Sequence, residues 1–531
     1  MFKGCINLRE VHPSILVHKR LTLLDLENCK KLSTFPCKFE MESLEILILS
    51  SCSKIKRIPE FMRNMERLSE LHLDGIAITK LPSSIEHMTN LYSLHLRDCK
   101  NLVCLPSVIC SFKSLKDIDF AGCSKLDNLP ANLWNNSGLE VLDVSGITIK
   151  ELPSLPSLCS LVSLNLSCCN IVTIPINFGY LPSIQYLDLS GNYFDCLPKS
   201  IIQLSRLCNI YLGNCTRLRS LPQLPSNTGV VFAHGCTTLE TLPNVFFHQS
   251  TCFYVFNCFK LADNQGWTEM FFSMLSRYAQ VSLSLSLSIY IYIYIYCKIL
   301  NIMVGMFQGI KVGVIWGRRP HFTLNIVIPG SEIPRWFSHQ SAGIKVNAHV
   351  THPSHSCNKW LGIAVCAVFS PRYLHPEDVG LPHLDCGISI NGFRSGLGFI
   401  FLTGRFVRME SDHLWLLYLH PESGALHNIE ECSQTDKNGF IHFSFDFSFD
   451  EQFVGKKCGF RMVYERDIEE MTEMMAQSSN SSCIVPYEGS SSHAIPLPKG
   501  GARNFGSRGS SCEDDICVKA NVKTGTLLYI C

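Results

Sequence analysis

Apolar positions in the first half of the chain follow one short template, L-x-x-L-x-L, that returns every 21 to 24 residues. It reads LTLLDL from Leu21 and LEILIL from Leu44, and starts again at Leu68, Leu91, Leu115, Leu139, Leu161, Ile184 and Leu207. Degenerate copies start at Thr228 and Ser250. Eight positions after each start stands a cysteine or its substitute: Cys29, Cys52, Ile76, Cys99, Cys123, Ile147, Cys169, Asn192, Cys215, Cys236 and Cys258. Most units close on a pair such as Ile58-Pro59, Leu81-Pro82 or Leu197-Pro198. Alternation within L-x-L predicts a short strand whose leucines point inward while the residues between them face out.

A pattern of this kind and period predicts a leucine-rich-repeat solenoid, an α/β horseshoe of about 11 units over residues 1–267. One unit cannot bury its own leucines, so neighbours must stack. Each leucine so buried contributes roughly 1.5–3 kcal/mol. The residue after the strand is expected to be buried and bonded to backbone groups of the turn. That makes Cys29, Cys52, Cys99, Cys123, Cys169, Asn192, Cys215 and Cys236 a structural ladder. The closing proline is expected to break the ladder on the returning, convex side. Cys5 and Leu8 stand in register with Cys29 and Leu32. The chain is therefore expected to open in mid-repeat, as a fragment or an incomplete gene model would.

The residues between the inward leucines face the concave side. Their central row is Asp25, Ile48, His72, His95, Asp119, Asp143, Asn165, Asp188 and Tyr211, and a flanking row includes Glu70, Asp117, Tyr186 and Asn209. Acids, histidines and aromatics on a rigid curved sheet suit protein recognition. All of these except Ile48 are candidate protein-binding residues.

Beyond residue 267 the pattern changes. Residues 268–320 are expected to be a linker, and within it 281–296 read VSLSLSLSIYIYIYIY. A strand and a membrane helix are both conceivable there. Lys298 interrupts the apolar run, and Ser-Leu and Ile-Tyr alternation is what TC and TA dinucleotide tracts encode, so translated non-coding repeat is the favoured reading. From residue 321 to 467, aromatic and β-branched runs recur between turns: GIKVNAHV, WLGIAVCAVF, CGISINGF, HLWLLYLH, FIHFSFDFSF and CGFRMVYE. They predict an all-β sandwich. Residues 468–531, rich in Ser and Gly, are expected to be a disordered tail.

With 46 basic and 45 acidic side chains the chain has no electrostatic bias toward nucleic acid. Its 27 cysteines include nine in the ladder register and no C-x-x-C pair. They fit small buried hydrophobes in a reducing compartment better than disulfides or zinc sites. The N-terminal residues have no apolar core of signal-peptide length. No phosphate loop and no H-E-x-x-H occurs. His12 and His18, or His349 and His352, lack a third metal ligand. Gly392, Gly396 and Gly398 fit a β-turn better than a dinucleotide fingerprint. No catalytic residue, cofactor or metal is assigned.

The block VIPGSEIPRWFSHQSAG at Val327–Gly343 resembles the entry motif of the post-repeat jelly-roll/Ig-like domain (C-JID) of plant TIR-NB-LRR intracellular immune receptors. KWLGIAVCAVF and KKCGFRMVYE resemble its later strands, and the repeats resemble that family's repeats. Nothing here resembles the family's TIR domain, which hydrolyses NAD, or its nucleotide-binding domain, so neither activity is transferred. The resemblance implies a non-catalytic recognition module of a disease-resistance protein in plant innate immunity. Its partner would be a pathogen effector or a host protein that an effector targets. Recognition would feed signal transduction in full-length receptors, in the cytoplasm or the nucleus. Nucleic acid and membrane are not expected partners. Trp336 and Phe337 are candidate contacts of the sandwich, with core packing as the alternative reading of both. The alternative is a truncated regulatory or decoy product that pairs with full-length receptors.

Overall fold

The computed structural model describes residues 2–467 apart from 36–37, 127–128, 154, 156, 243–250, 264–270, 272–274, 276–322, 352–358, 373–382, 402–408, 422–425, 427–434 and 450. The alternating segment 281–296, His352 and the tail beyond 467 lie outside the described residues. All described residues belong to one compact unit.

Each template forms a strand of three or four residues, from Leu23–Asp25 through Ile46–Ile48, Glu70–His72, Ser93–His95, Asp117–Asp119 and Val141–Asp143 to Ser163–Asn165, Tyr186–Asp188, Asn209–Tyr211, Val230–Phe232 and Thr251–Tyr254. Neighbouring strands pair in parallel and in register. The two degenerate templates at Thr228 and Ser250 take their places in this ladder. The inward leucines, such as Leu24, Leu47, Leu71, Leu94, Leu142, Leu164 and Leu187, are at most 2% exposed and share one core.

The ladder residues do what a buried polar atom must. Cys52 Sγ donates to Leu26 O at 3.1 Å, Cys99 to Leu73 O at 3.1 Å, Cys123 to Leu96 O at 3.1 Å and Cys236 to Leu212 O at 3.1 Å. Cys29, Cys169 and Cys215 make the same bond to Phe2 O, Val144 O and Leu189 O. Asn192 does more. Its Nδ2 donates to Leu166 O (2.9 Å) and Leu189 O (2.8 Å), while its Oδ1 accepts from the N–H groups of Cys169 (3.1 Å) and Ile171 (3.0 Å). Burial pushes the thiols up, Cys52 to about 11 and Cys99, Cys123 and Cys169 to about 12. They are therefore neutral and poorly nucleophilic. Cys5, by contrast, is exposed.

The convex side carries 3₁₀ turns, at Ser83–His87, Ser107–Ser111, Ala131–Asn135, Ile176–Tyr180 and Lys199–Gln203. Proline caps the start of each: Pro82, Pro106, Pro130, Pro175 and Pro198. Its role is thus more specific than breaking a ladder. It lacks an N–H and its φ is already fixed, so it leads into a tight turn at no cost in donors.

Beyond the solenoid two sheets form. One runs Thr323–Pro329, His413–Leu419, Trp360–Pro371, Phe453–Tyr464 and His339–Ala342, and the other Lys345–Thr351, Phe440–Phe449, His383–Ile390 and Phe393–Phe401. The run CGISINGF is a strand, a turn and the start of the next strand. Asn391 and Gly392, with φ of 49° and 88°, make the turn. Gly396 and Gly398 lie within the following strand rather than in a turn.

The first sheet is joined to the solenoid. Its strand Thr323–Pro329 pairs in parallel with Thr251–Tyr254, so the concave sheet continues into the sandwich. Alternate residues of this sheet face opposite ways. Ile326, Ala364, Cys366, Leu414 and Leu416 join the solenoid core, while Ile363, Val365, Ala367, Trp415 and Leu417 join the core between the two sheets. That explains why Trp360–Pro371 and His413–Leu419 are almost continuously apolar: a strand covered on both faces needs no polar alternation.

Candidate functional site

Parallel register gathers the predicted concave residues into rows. The central row runs Asp25, Ile48, His72, His95, Asp119, Asp143, Asn165, Asp188, Tyr211, Phe232, Tyr254, Val327. Glu70, Ser93, Asp117, Val141, Ser163, Tyr186 and Asn209 form the flanking row.

Several row members have a structural duty. The side-chain oxygens of Asp25, Asp119, Asp143, Asn165 and Asp188 each accept the N–H two residues on, at 2.8–3.0 Å. This local bond closes the turn out of the strand, a habit of Asp and Asn. Asp25 is only 6% exposed. It is therefore a turn-closing residue and not an accessible contact.

The middle repeats hold a dense polar network. His72 and His95 approach through their Nδ1 atoms, 3.1 Å apart. His72 Nε2 lies 3.3 Å from Glu70 Oε2, and His95 Nε2 lies 3.0 Å from Asp117 Oδ2 and 3.1 Å from Ser93 Oγ. The bond to Asp117 raises the His95 pKa above the usual histidine value. Beside them, Arg97 bridges Asp119 (2.8 Å) and Asp143 (3.1 Å). Asp143 Oδ2 also accepts from Asn165 Nδ2 at 3.0 Å. Burial raises the Asp119 pKa despite Arg97.

Asp74 and Arg97 were not singled out from the sequence. Both follow the third leucine-like position of their templates, one step past the rows considered. The alternation that places the central row outward places them outward too.

Toward the sandwich the row turns apolar. Tyr211 is half-buried beside Phe232, centroids 6.2 Å apart, and packs on the inter-sheet core. Burial raises its pKa. Asn209 Nδ2 donates to the Tyr211 hydroxyl at 3.4 Å. Tyr186 and Asn209 are half-buried on the flanking row.

In the sandwich the two candidates part. Phe337 is 2% exposed and belongs to the core, so it is a packing residue and not a contact. Trp336 is partly buried beneath Arg461, whose guanidinium sits 4.8 Å from the ring centroid and donates to Trp336 O at 2.8 Å. Arg461 is held in turn by Asp467. His12 and His18 cap local backbone N–H groups, and His349 packs on His442 with centroids 3.9 Å apart.

A repeat solenoid whose concave sheet runs into a β-sandwich defines a leucine-rich-repeat protein with a fused post-repeat domain. Two family matches specify it: residues 39–262 match "Disease resistance protein RPS4B-like, leucine-rich repeats" and residues 328–469 match the C-JID domain. The chain is 39% identical over 251 residues to TMV resistance protein N of Nicotiana glutinosa, covering 42% of this chain and 22% of that protein. It is 27% identical over 494 residues to disease resistance protein RPS4B of Arabidopsis thaliana, covering 88% and 36%. With disease resistance-like protein DSC1 of Arabidopsis thaliana it shares 31% identity over 340 residues, covering 57% and 26%. The chain belongs, as a leucine-rich-repeat and C-JID part, to the TIR-NB-LRR disease-resistance proteins. It spans well under half the length of these relatives.

Proposed function

We propose that this chain is the recognition part of an intracellular plant immune receptor, binding a pathogen effector or a host protein that the effector modifies. The observation that carries this is the half-buried concave row from Glu70 and His72 to Tyr211, which ends where Phe232, Tyr254 and Val327 pass beneath the sandwich. A partner seated there would lie on the repeats and abut the sandwich where it closes over the row beside Tyr211. The charged middle supplies orientation, and the aromatic end near Tyr186 supplies apolar anchoring of the kind that dominates interfaces. The reading is non-catalytic binding. A cytoplasmic or nuclear setting goes with it, supported by the absence of any disulfide among the described cysteines.

The test is a binding screen of the purified chain against secreted effectors of plant pathogens and their host targets, with the double variant Arg97→Glu, Tyr186→Ala as control. A partner whose affinity falls at least about tenfold in the variant fits the loss of one or two hot-spot contacts. A partner that binds both forms equally would place recognition elsewhere. A decoy role, pairing with full-length receptors, is the second reading. Co-purification with a full-length receptor would establish it.

A further inference from the structure

We propose that His72, Asp74 and His95 form a binding site for a divalent cation of the zinc type on the concave face. The argument starts from hydrogens. Each ring presents Nε2 to a carboxylate, His72 to Glu70 at 3.3 Å and His95 to Asp117 at 3.0 Å. An ionised carboxylate can only accept, so each Nε2 carries the hydrogen and a neutral ring is left with a bare lone pair on Nδ1. Those two Nδ1 atoms lie 3.1 Å apart, with the ring planes at 83°. Facing lone pairs at that distance repel unless a cation stands against both.

The spacing suits a metal. Two nitrogens bound at ~2.0–2.1 Å to a tetrahedral ion stand about 3.3 Å apart. A third ligand is in place: a carboxylate oxygen of Asp74 and the two imidazole nitrogens all lie within 4.8 Å of one another. The carboxylate is fixed by the Arg97 N–H (2.9 Å) and the Ser50 hydroxyl (2.9 Å). Glu70 and Asp117 then act as the outer carboxylates that orient metal-bound histidines. Two imidazoles and one carboxylate favour zinc over magnesium or calcium. Three protein ligands leave a fourth position open to the groove, for water or for a donor atom of a docked protein. No sequence motif announces this site, because its ligands come from two repeats and meet only through the parallel register of His72 with His95.

Cobalt(II) titration of the metal-free full chain tests the proposal. The expected result is one equivalent bound with visible ligand-field absorption, no thiolate-to-cobalt band, and displacement by zinc. His72→Gln and His95→Gln should each abolish the absorption while melting in EDTA like the parent. Glu70→Gln, which keeps all three ligands, should weaken binding about 10–100-fold and decides the matter if a histidine variant fails to fold. Three results would overturn the proposal: no cobalt absorption, which leaves a proton alone between the rings; a thiolate band, which assigns the metal to exposed cysteines; or absorption untouched by the substitutions.

Discussion

Asn192 shows how much one ladder residue carries. It is fully buried and serves three carbonyls and two N–H groups from two repeats, where Cys52 at the same position makes one carbonyl bond. Asn192→Ala leaves the Cys169 and Ile171 N–H groups without their acceptor. An orphaned buried donor costs about 1–3 kcal/mol, so urea unfolding should show a loss of at least about 2 kcal/mol. A loss below about 0.5 kcal/mol would mean that the turn does not depend on this side chain. The cysteines of the ladder invite a second measurement. Cys52, Cys99, Cys123 and Cys169 are buried with thiols pushed to about 11–12, whereas Cys104, Cys159, Cys168 and Cys196 are exposed. Native-state alkylation at neutral pH, read by mass spectrometry, should mark the second group and spare the first until denaturant is added. Ladder cysteines that react as fast as Cys104 would contradict the buried assignment.

At the level of elements, the strand His413–Leu419 joins solenoid to sandwich through its first residue. His413 is fully buried, donates from Nδ1 to Ser411 O (2.9 Å) and accepts at Nε2 from the Asn257 N–H (3.1 Å). Asn257 Oδ1 in turn accepts from the Glu410 N–H. Nε2 can accept only while neutral, and burial lowers the His413 pKa to about 4. An unfolded chain would protonate the same ring near 6.5. Stability from this group is therefore complete above about pH 6.5 and lost as pH falls toward 4, at up to about 1.4 kcal/mol per pH unit per proton. His234 and His420 are lowered to about 4 by burial as well and add to the same window. Melting temperature against pH should drop across it, and His413→Gln should flatten the drop by one proton. An unchanged slope would show that the ring is protonated in the folded state. The repeat strands, their register and the identity of the concave row were legible in the sequence, because a 21–24-residue period repeats its own evidence many times. The continuation of the sheet through Thr323–Pro329 was not. That pairing is a long-range contact between segments that share no period. Nor was the strand His339–Ala342, where polar residues are tolerated at a sheet edge. Asp25 was misjudged, and Phe337 was left open between contact and core, for one reason: position on a face tells direction, and burial depends on what packs against that face.

Taken whole, the molecule has one hydrophobic core running from the first repeats into the first sheet of the sandwich, and a second core between the two sheets. A repeat array ordinarily needs a polar terminal cap. Here the sandwich covers the C-terminal end of the array, and the array covers the outer face of the sandwich's first sheet. The dependence is mutual, which separates this arrangement from two domains on a linker. Cut apart at residue 320, the sandwich would expose Ile326, Ile328, Ala364, Leu414, Leu416 and Tyr418, all fully buried in the intact chain. Exposed contiguous apolar surface of that kind drives association. Residues 321–467 alone should therefore aggregate or bind a hydrophobic dye strongly, while the full chain should stay soluble with little dye binding. If the shorter piece proved soluble, monomeric and dye-silent, the sandwich would be self-sufficient. A partner could then bind it without engaging the repeats, and the row from Glu70 to Tyr211 would not need the sandwich at its end.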